Sequence, residues 1–130
     1  MSLTVPPELV RKASEGSVSN PEFVHCVRNS LPYAYDLIAG LVEERTAEGG
    51  TFADNQVEPP DEASRGQLLR AMSSNAIRGA LEEHFGVTLA FQNCHRVAVF
   101  GPDAEGTAQY REFVSVPSQI LNQKPELVNC

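Results

Sequence analysis

The densest run of reactive side chains in this 130-residue chain is Gln92-Asn93-Cys94-His95-Arg96, set between apolar neighbours. Two amides, a thiol, an imidazole and a guanidinium interrupt what otherwise reads as strand. Such conflicts between local chemistry and periodicity concentrate at functional sites. His95 is the one candidate general base, because an unperturbed imidazole titrates near neutrality. Cys94 beside it would be the nucleophile of a thiol enzyme, although sequence neighbours seldom face each other as a nucleophile–base pair must. In a second reading Asn93 and Arg96 donate hydrogen bonds to a polar ligand. In a third, the run lines a turn or a subunit interface.

Arg65, Arg70 and Arg78 form a second group; positions 70 and 78 are two helical turns apart and lean to one side of a helix. They read either as an anion site or as surface arginines pairing with the abundant acids. The pairs His25-Cys26 and Cys94-His95 invite a zinc reading, but adjacent residues point in different directions and zinc-motif spacings are absent. The three cysteines, Cys26, Cys94 and Cys130, are widely spaced and include no CxxC, so reduced thiols are expected. No metal and no cofactor is called for. GxSxG, HExxH, P-loop, GxGxxG and EF-hand patterns do not occur.

Ten basic against seventeen acidic residues leave a net charge of −7, which argues against a phosphate-backbone binder. No nucleic-acid partner is expected. With neither a basic–apolar leader pattern nor an apolar run of roughly 20 residues, the chain reads as cytoplasmic and without a membrane partner.

The elements that would position these groups follow from period and punctuation. Residues 1–130 form a single domain: an arm over 1–19, a helical part over 20–86, a β-hairpin over 87–117 and a tail over 118–130. A short helix is expected after Pro6-Pro7. Asn20-Pro21-Glu22 opens the next, with Asn20 as cap. Pro32 interrupts it, and Ser30 is placed to cap the restart. Ala34, Leu37, Ile38, Leu41 and Val42 give the third helix its stripe, and Gly49-Gly50 ends it. Asp36, Glu43, Glu44 and Arg45 fall mostly outside that stripe and read as solvated charge. Residues 50–60, carrying Phe52, Asp54 and Asn55, read as a binding loop or a crossover. A helix from Pro60 or Asp61 runs towards Phe85, with a kink near Ser73-Ser74 as the alternative, and Gly86 terminates it. Val87, Leu89 and Phe91 then alternate as a strand, and Tyr110 to Val116 returns as its partner. The expected class is α+β, mostly helical, with N-terminal helices and a small antiparallel hairpin near the C-terminus.

Ser-Leu-Pro-Tyr-Ala-Tyr (30–35), Phe-Ala-Asp-Asn (52–55) and the run from Arg65-Gly-Gln-Leu-Leu-Arg to Phe-Gln-Asn-Cys-His-Arg-Val-Ala-Val-Phe100 carry a resemblance. They look like the tailoring proteins that install the lysinoalanine bridge in duramycin- and cinnamycin-type lanthipeptides. The resemblance implies a homodimer acting on a modified ribosomal peptide. The reaction would add a lysine amine to a dehydroalanine of the same peptide, chiefly through pre-organisation. It further implies Tyr33 and Phe52 as walls of the peptide site. Asn93, His95 and Arg96 would be hydrogen-bonding contacts, with Arg65, Gln67 and Arg70 as further candidates. A non-catalytic accessory or interaction protein, binding through the 50–60 loop and the tail, is the competing reading. The Cys94/His95 thiol enzyme is the third.

Overall fold

The computed structural model describes residues 2–93 and 95–121. Among these the chain is mostly helical, with a small antiparallel sheet. The helices are α1 (Pro7–Ser14), α2 (Asn20–Ser30), α3 (Pro32–Glu48), α4 (Glu62–Ser73), α5 (Asn75–Phe85), α6 (Ala108–Phe113) and α7 (Val116–Leu121). The strands are β1 (Phe52–Asp54), β2 (Thr88–Gln92) and β3 (Arg96–Phe100), and a 3₁₀ turn occupies Ala104–Gly106. No helix of the described residues is long and apolar enough to cross a membrane.

Helix starts are set by side chains that satisfy the free amides of the first turn. The cap of α2 is Ser19, not Asn20: its hydroxyl accepts from the Glu22 amide while the Glu22 carboxylate accepts from the Ser19 amide. Glu22 stands three residues after Ser19, the spacing that this reciprocal arrangement requires. Asn20 instead reaches across to α5 and donates to the Ala80 carbonyl at 3.1 Å. Lys12 pairs with Glu22 at 2.7 Å, tying α1 to α2. That contact is the main reason the Glu22 carboxyl titrates below its ordinary range.

The start of α3 is served from a distance. Leu31 occupies the cap position without a capping side chain, being wholly buried in the core. The Gln67 Oε1 of α4 accepts from the Tyr33 and Ala34 amides at 2.7 and 3.2 Å. Ser30, expected as the cap, accepts from the Thr4 amide of the arm at 2.9 Å.

The helical stretch from Glu62 to Phe85 is two helices. Ser74 adopts an extended conformation and caps α5 by accepting from the Ile77 amide. Arg78 splints the junction, donating to the Met72 carbonyl and to Asn75 Oδ1. Gly49 and Gly86 end α3 and α5 in the left-handed conformation that glycine adopts without a Cβ penalty.

The sheet order is β1-β3-β2, with both pairings antiparallel. The hairpin joins β2 to Arg96–Phe100, turning at Asn93, whose φ is 60°. The strand expected over Tyr110–Val116 is absent: Tyr110–Phe113 lies in α6, capped by Thr107, whose hydroxyl accepts from the Tyr110 amide. Tyr110 and Phe113 are three apart, so a helix puts both on one face, where they pack against Phe100. Pro117 does not stop a strand; it occupies the first turn of α7, where a missing amide costs nothing.

Alternation along the strands gives two faces. Ala53, Leu89, Val97 and Val99 point to the main core, built with Leu31, Ile38, Leu68, Met72, Ile77 and Leu81 of the helices. Ala90, Ala98 and Phe100 point the other way, under Ala104, Tyr110 and Phe113.

Candidate functional site

One face of α3 stays open. Residues 33, 36, 37, 40, 41 and 44 recur at helical spacing and look across at the segment from Asp54 to Pro60. Between them runs a groove of about 710 Å³. Its apolar lining comes from Tyr33, Leu37 and Leu41 on the helix and from Val57 and Pro60 opposite. Val57 is 77% exposed, an unusual place for a valine held in a wall. Gly40 lies in the helix midway along the groove, and among the described residues a Cβ added there would meet nothing beyond its own helical backbone within 4 Å. A glycine inside a helix costs roughly 0.8–1 kcal/mol relative to alanine. Nothing in the fold around Gly40 requires that cost.

The groove is acidic. Asp36 and Glu44 stand on the helix side, Asp54 and Glu58 on the other, and among the described residues no lysine or arginine lines it. Asp54 is compensated by Arg96, whose Nε donates to its Oδ2 at 2.6 Å, and it also accepts from Gln56. Asp36, Glu44 and Glu58 have no ion-pair partner among the described residues. The Tyr33 hydroxyl titrates above its ordinary value, first through partial burial and then through the negative charge of Asp61.

The wall opposite α3 is fastened by Asn55, which is buried and behaves as a further residue of strand pairing. Its backbone amide donates to the Val97 carbonyl, its Oδ1 accepts from the Val97 amide at 2.7 Å, and its Nδ2 donates to the His95 carbonyl at 2.7 Å. A single side chain thereby satisfies a buried donor and a buried acceptor of the hairpin. Spacing gave no sign of this, because the partners are 40 and 42 residues away.

The residues proposed from sequence fall in separate places. Tyr33 lines the groove, and Gln67 is committed to its backbone amide. Arg65 and Arg70 are half-buried on α4, and Asp61, the α4 cap, lies within electrostatic reach of Arg65. Phe52 and Arg96 lie on the far face of the sheet. There Phe52 stacks on Phe100 at 4.9 Å, and the Arg96 guanidinium sits over the Phe113 ring. Gln92, 1% exposed, donates to the Phe113 carbonyl in the same place. Asn93 turns the hairpin, its amide donating to Gln119 Oε1, and His95 is 3% exposed beside it. Cys94 and Cys130 lie outside the described residues. Cys26 is buried under the arm and His25 is exposed, so the two diverge. Among the described residues no three acids, histidines or cysteines converge as metal ligands would.

Sequence reasoning treated Asp36 and Glu44 as solvated charge and passed over Leu37, Gly40, Val57 and Glu58 as site residues. The available signal was a glycine at the centre of an apolar and acidic stripe spaced 33, 36, 37, 40, 41, 44.

Residues 1–130 match the family KH NucS shadow, described as NucS shadow ORF, and the chain belongs to that family. No curated protein and no solved structure matches it. Membership overturns the resemblance to lysinoalanine-forming tailoring proteins, to which this family is unrelated. The stretches that suggested it have structural reasons for their residues. Pro32-Tyr33-Ala34 opens α3, Phe52–Asp54 is a strand extended by Asn55, and residues 65–100 build two helices and a hairpin.

Proposed function

Taking that membership as the starting point, we propose that this chain is a non-catalytic interaction protein that holds a polypeptide segment of a partner in the groove between α3 and residues 54–60. The observation that carries the reading is the open, partly apolar channel with a costly helical glycine in its floor. Helix interiors accept glycine where another backbone must come close, and peptide recognition commonly lays an apolar face into such a groove. Tyr33 to Glu44 spans eleven helical rises, about 17 Å, enough for a peptide of about three helical turns.

The family name includes KH, a module that clamps four nucleotides of RNA backbone with a Gly-x-x-Gly loop. No two of the nine glycines here are three apart, and α4 meets α5 through Ser74. Together with a net charge of −7, these features favour a polypeptide over an RNA backbone as the partner.

The test is selection of peptide ligands from a random display library on the wild-type chain, with each clone re-measured on Gly40→Leu. Clones that bind the wild type and lose affinity on Gly40→Leu are the expected result. Failure to enrich such clones, or retention of binding by all of them on the filled groove, would overturn the reading.

A further inference from the structure

We infer that the segment this groove accepts is cationic and amphipathic: an apolar anchor seated on Leu37, Leu41 and Val57 at Gly40, flanked by lysine or arginine. The inference rests on the groove reading above and adds the charge and shape of its occupant.

Charge complementarity carries it. Asp36, Glu44 and Glu58 rim the apolar floor without an ion-pair partner among the described residues, whereas Asp54, on the same wall, is answered by Arg96. A fold that needed these acids for its own stability would pair or cap with them, as it does with Glu22 and Asp61. Like charges gathered around an apolar channel repel one another until an opposite charge arrives. An acidic or neutral occupant would leave that repulsion in place, and an uncharged polar one would waste the floor. A cationic residue before and after the anchor meets Asp36 or Glu44 on one side and Glu58 on the other. Each such pair is partly exposed and modest in strength, so the binding weakens with salt.

Gly40 sets the shape. With no side chain there and open space above it, the anchor can descend to the helix backbone between Leu37 and Leu41. Gly79 of α5 also has nothing within 4 Å of an added Cβ, but it does not line the groove, so it supplies the matched control.

The experiment is fluorescence anisotropy with three labelled helical peptides of about three turns: leucine with lysine, leucine with glutamate, and leucine with glutamine. A single-stranded oligonucleotide is the fourth probe. The proteins are the full chain, Gly40→Leu, Gly79→Leu and the triple Asp36→Asn/Glu44→Gln/Glu58→Gln variant, each checked for unchanged circular dichroism. The expected result is binding of the leucine–lysine peptide alone, lost on Gly40→Leu and kept on Gly79→Leu. It should weaken on the order of tenfold in the triple variant, as removal of a few exposed ion pairs predicts. Equal binding of the glutamine or glutamate peptide, still abolished by Gly40→Leu, would overturn the cationic inference and leave the groove reading standing. No peptide sensitive to Gly40→Leu would overturn both. Oligonucleotide binding that outcompetes the peptide would overturn both in favour of nucleic acid.

Discussion

Replacing Gly40 by alanine tests whether the fold itself has any use for that glycine. In a helix interior the exchange gains up to about 0.8–1 kcal/mol from backbone propensity, provided the new methyl has room. Room exists, because an ideal Cβ at position 40 meets no described residue beyond its own helical backbone within 4 Å. Gly40 is exposed, and α3 runs on for two turns beyond it to Gly49, so fraying of the helix end does not dilute the effect. For a chain of this size a gain near 1 kcal/mol raises the melting midpoint by roughly 3–5 °C. Urea titration of the two proteins gives the cleaner number: the midpoint should rise while the slope, set by the surface exposed on unfolding, stays the same. A loss of stability, or an unchanged midpoint, would refute the reasoning, since the space over Gly40 would then be filled by this chain. Gly79→Ala in α5 should behave in the same way.

Three further outcomes follow from contacts of the same kind. Asn55→Ala should cost roughly 2–4 kcal/mol, because it strands the buried Val97 amide and His95 carbonyl together, and a denaturant midpoint measures it. Gln67→Ala removes the acceptor for the Tyr33 and Ala34 amides and should cost about 1 kcal/mol, the usual value of a helix cap. If stability is unchanged there, water serves the start of α3 equally well. The Asp61 carboxyl is held below its ordinary pKa first by the Ser64 amide. A depressed folded pKa means stability that is complete above the unfolded value near pH 4 and lost as pH falls through the folded value. Asp61→Asn keeps the cap oxygen without the proton, so its stability should fall less than that of the wild type between pH 5 and pH 2; parallel curves would sink this assignment.

Much of the helical architecture was legible because its signals are local. Ala34, Ile38 and Leu41 marked the buried stripe of α3, and Gly49 and Gly86 marked helix ends where only a positive φ fits. Errors of one residue arose where two caps compete, as with Ser19 and Asn20. Thr107 before Tyr110 was a readable cap, yet the apolar residues 110 to 116 mimicked a strand, and only packing against Phe100 decides between the two. The contacts that fix the groove were not legible. Gln67 meets Tyr33 34 residues away, and Asn55 meets Val97 42 residues away, pairings that no window of neighbouring residues contains. The open face of α3 was hidden for the opposite reason. An occupant of a groove leaves no periodicity of its own, only a glycine that the helix would be better without.

The clip made by Asn55 gives the hairpin a clock. Because the Val97 amide donates to a side chain of the groove wall, its hydrogen can exchange with solvent only when that wall lifts from β3. The ratio of its exchange rate to that of a freely solvated amide is therefore the equilibrium constant for detaching the wall. Anything that settles against Val57 and Glu58 must slow this one amide in proportion to how tightly it sits, without touching it.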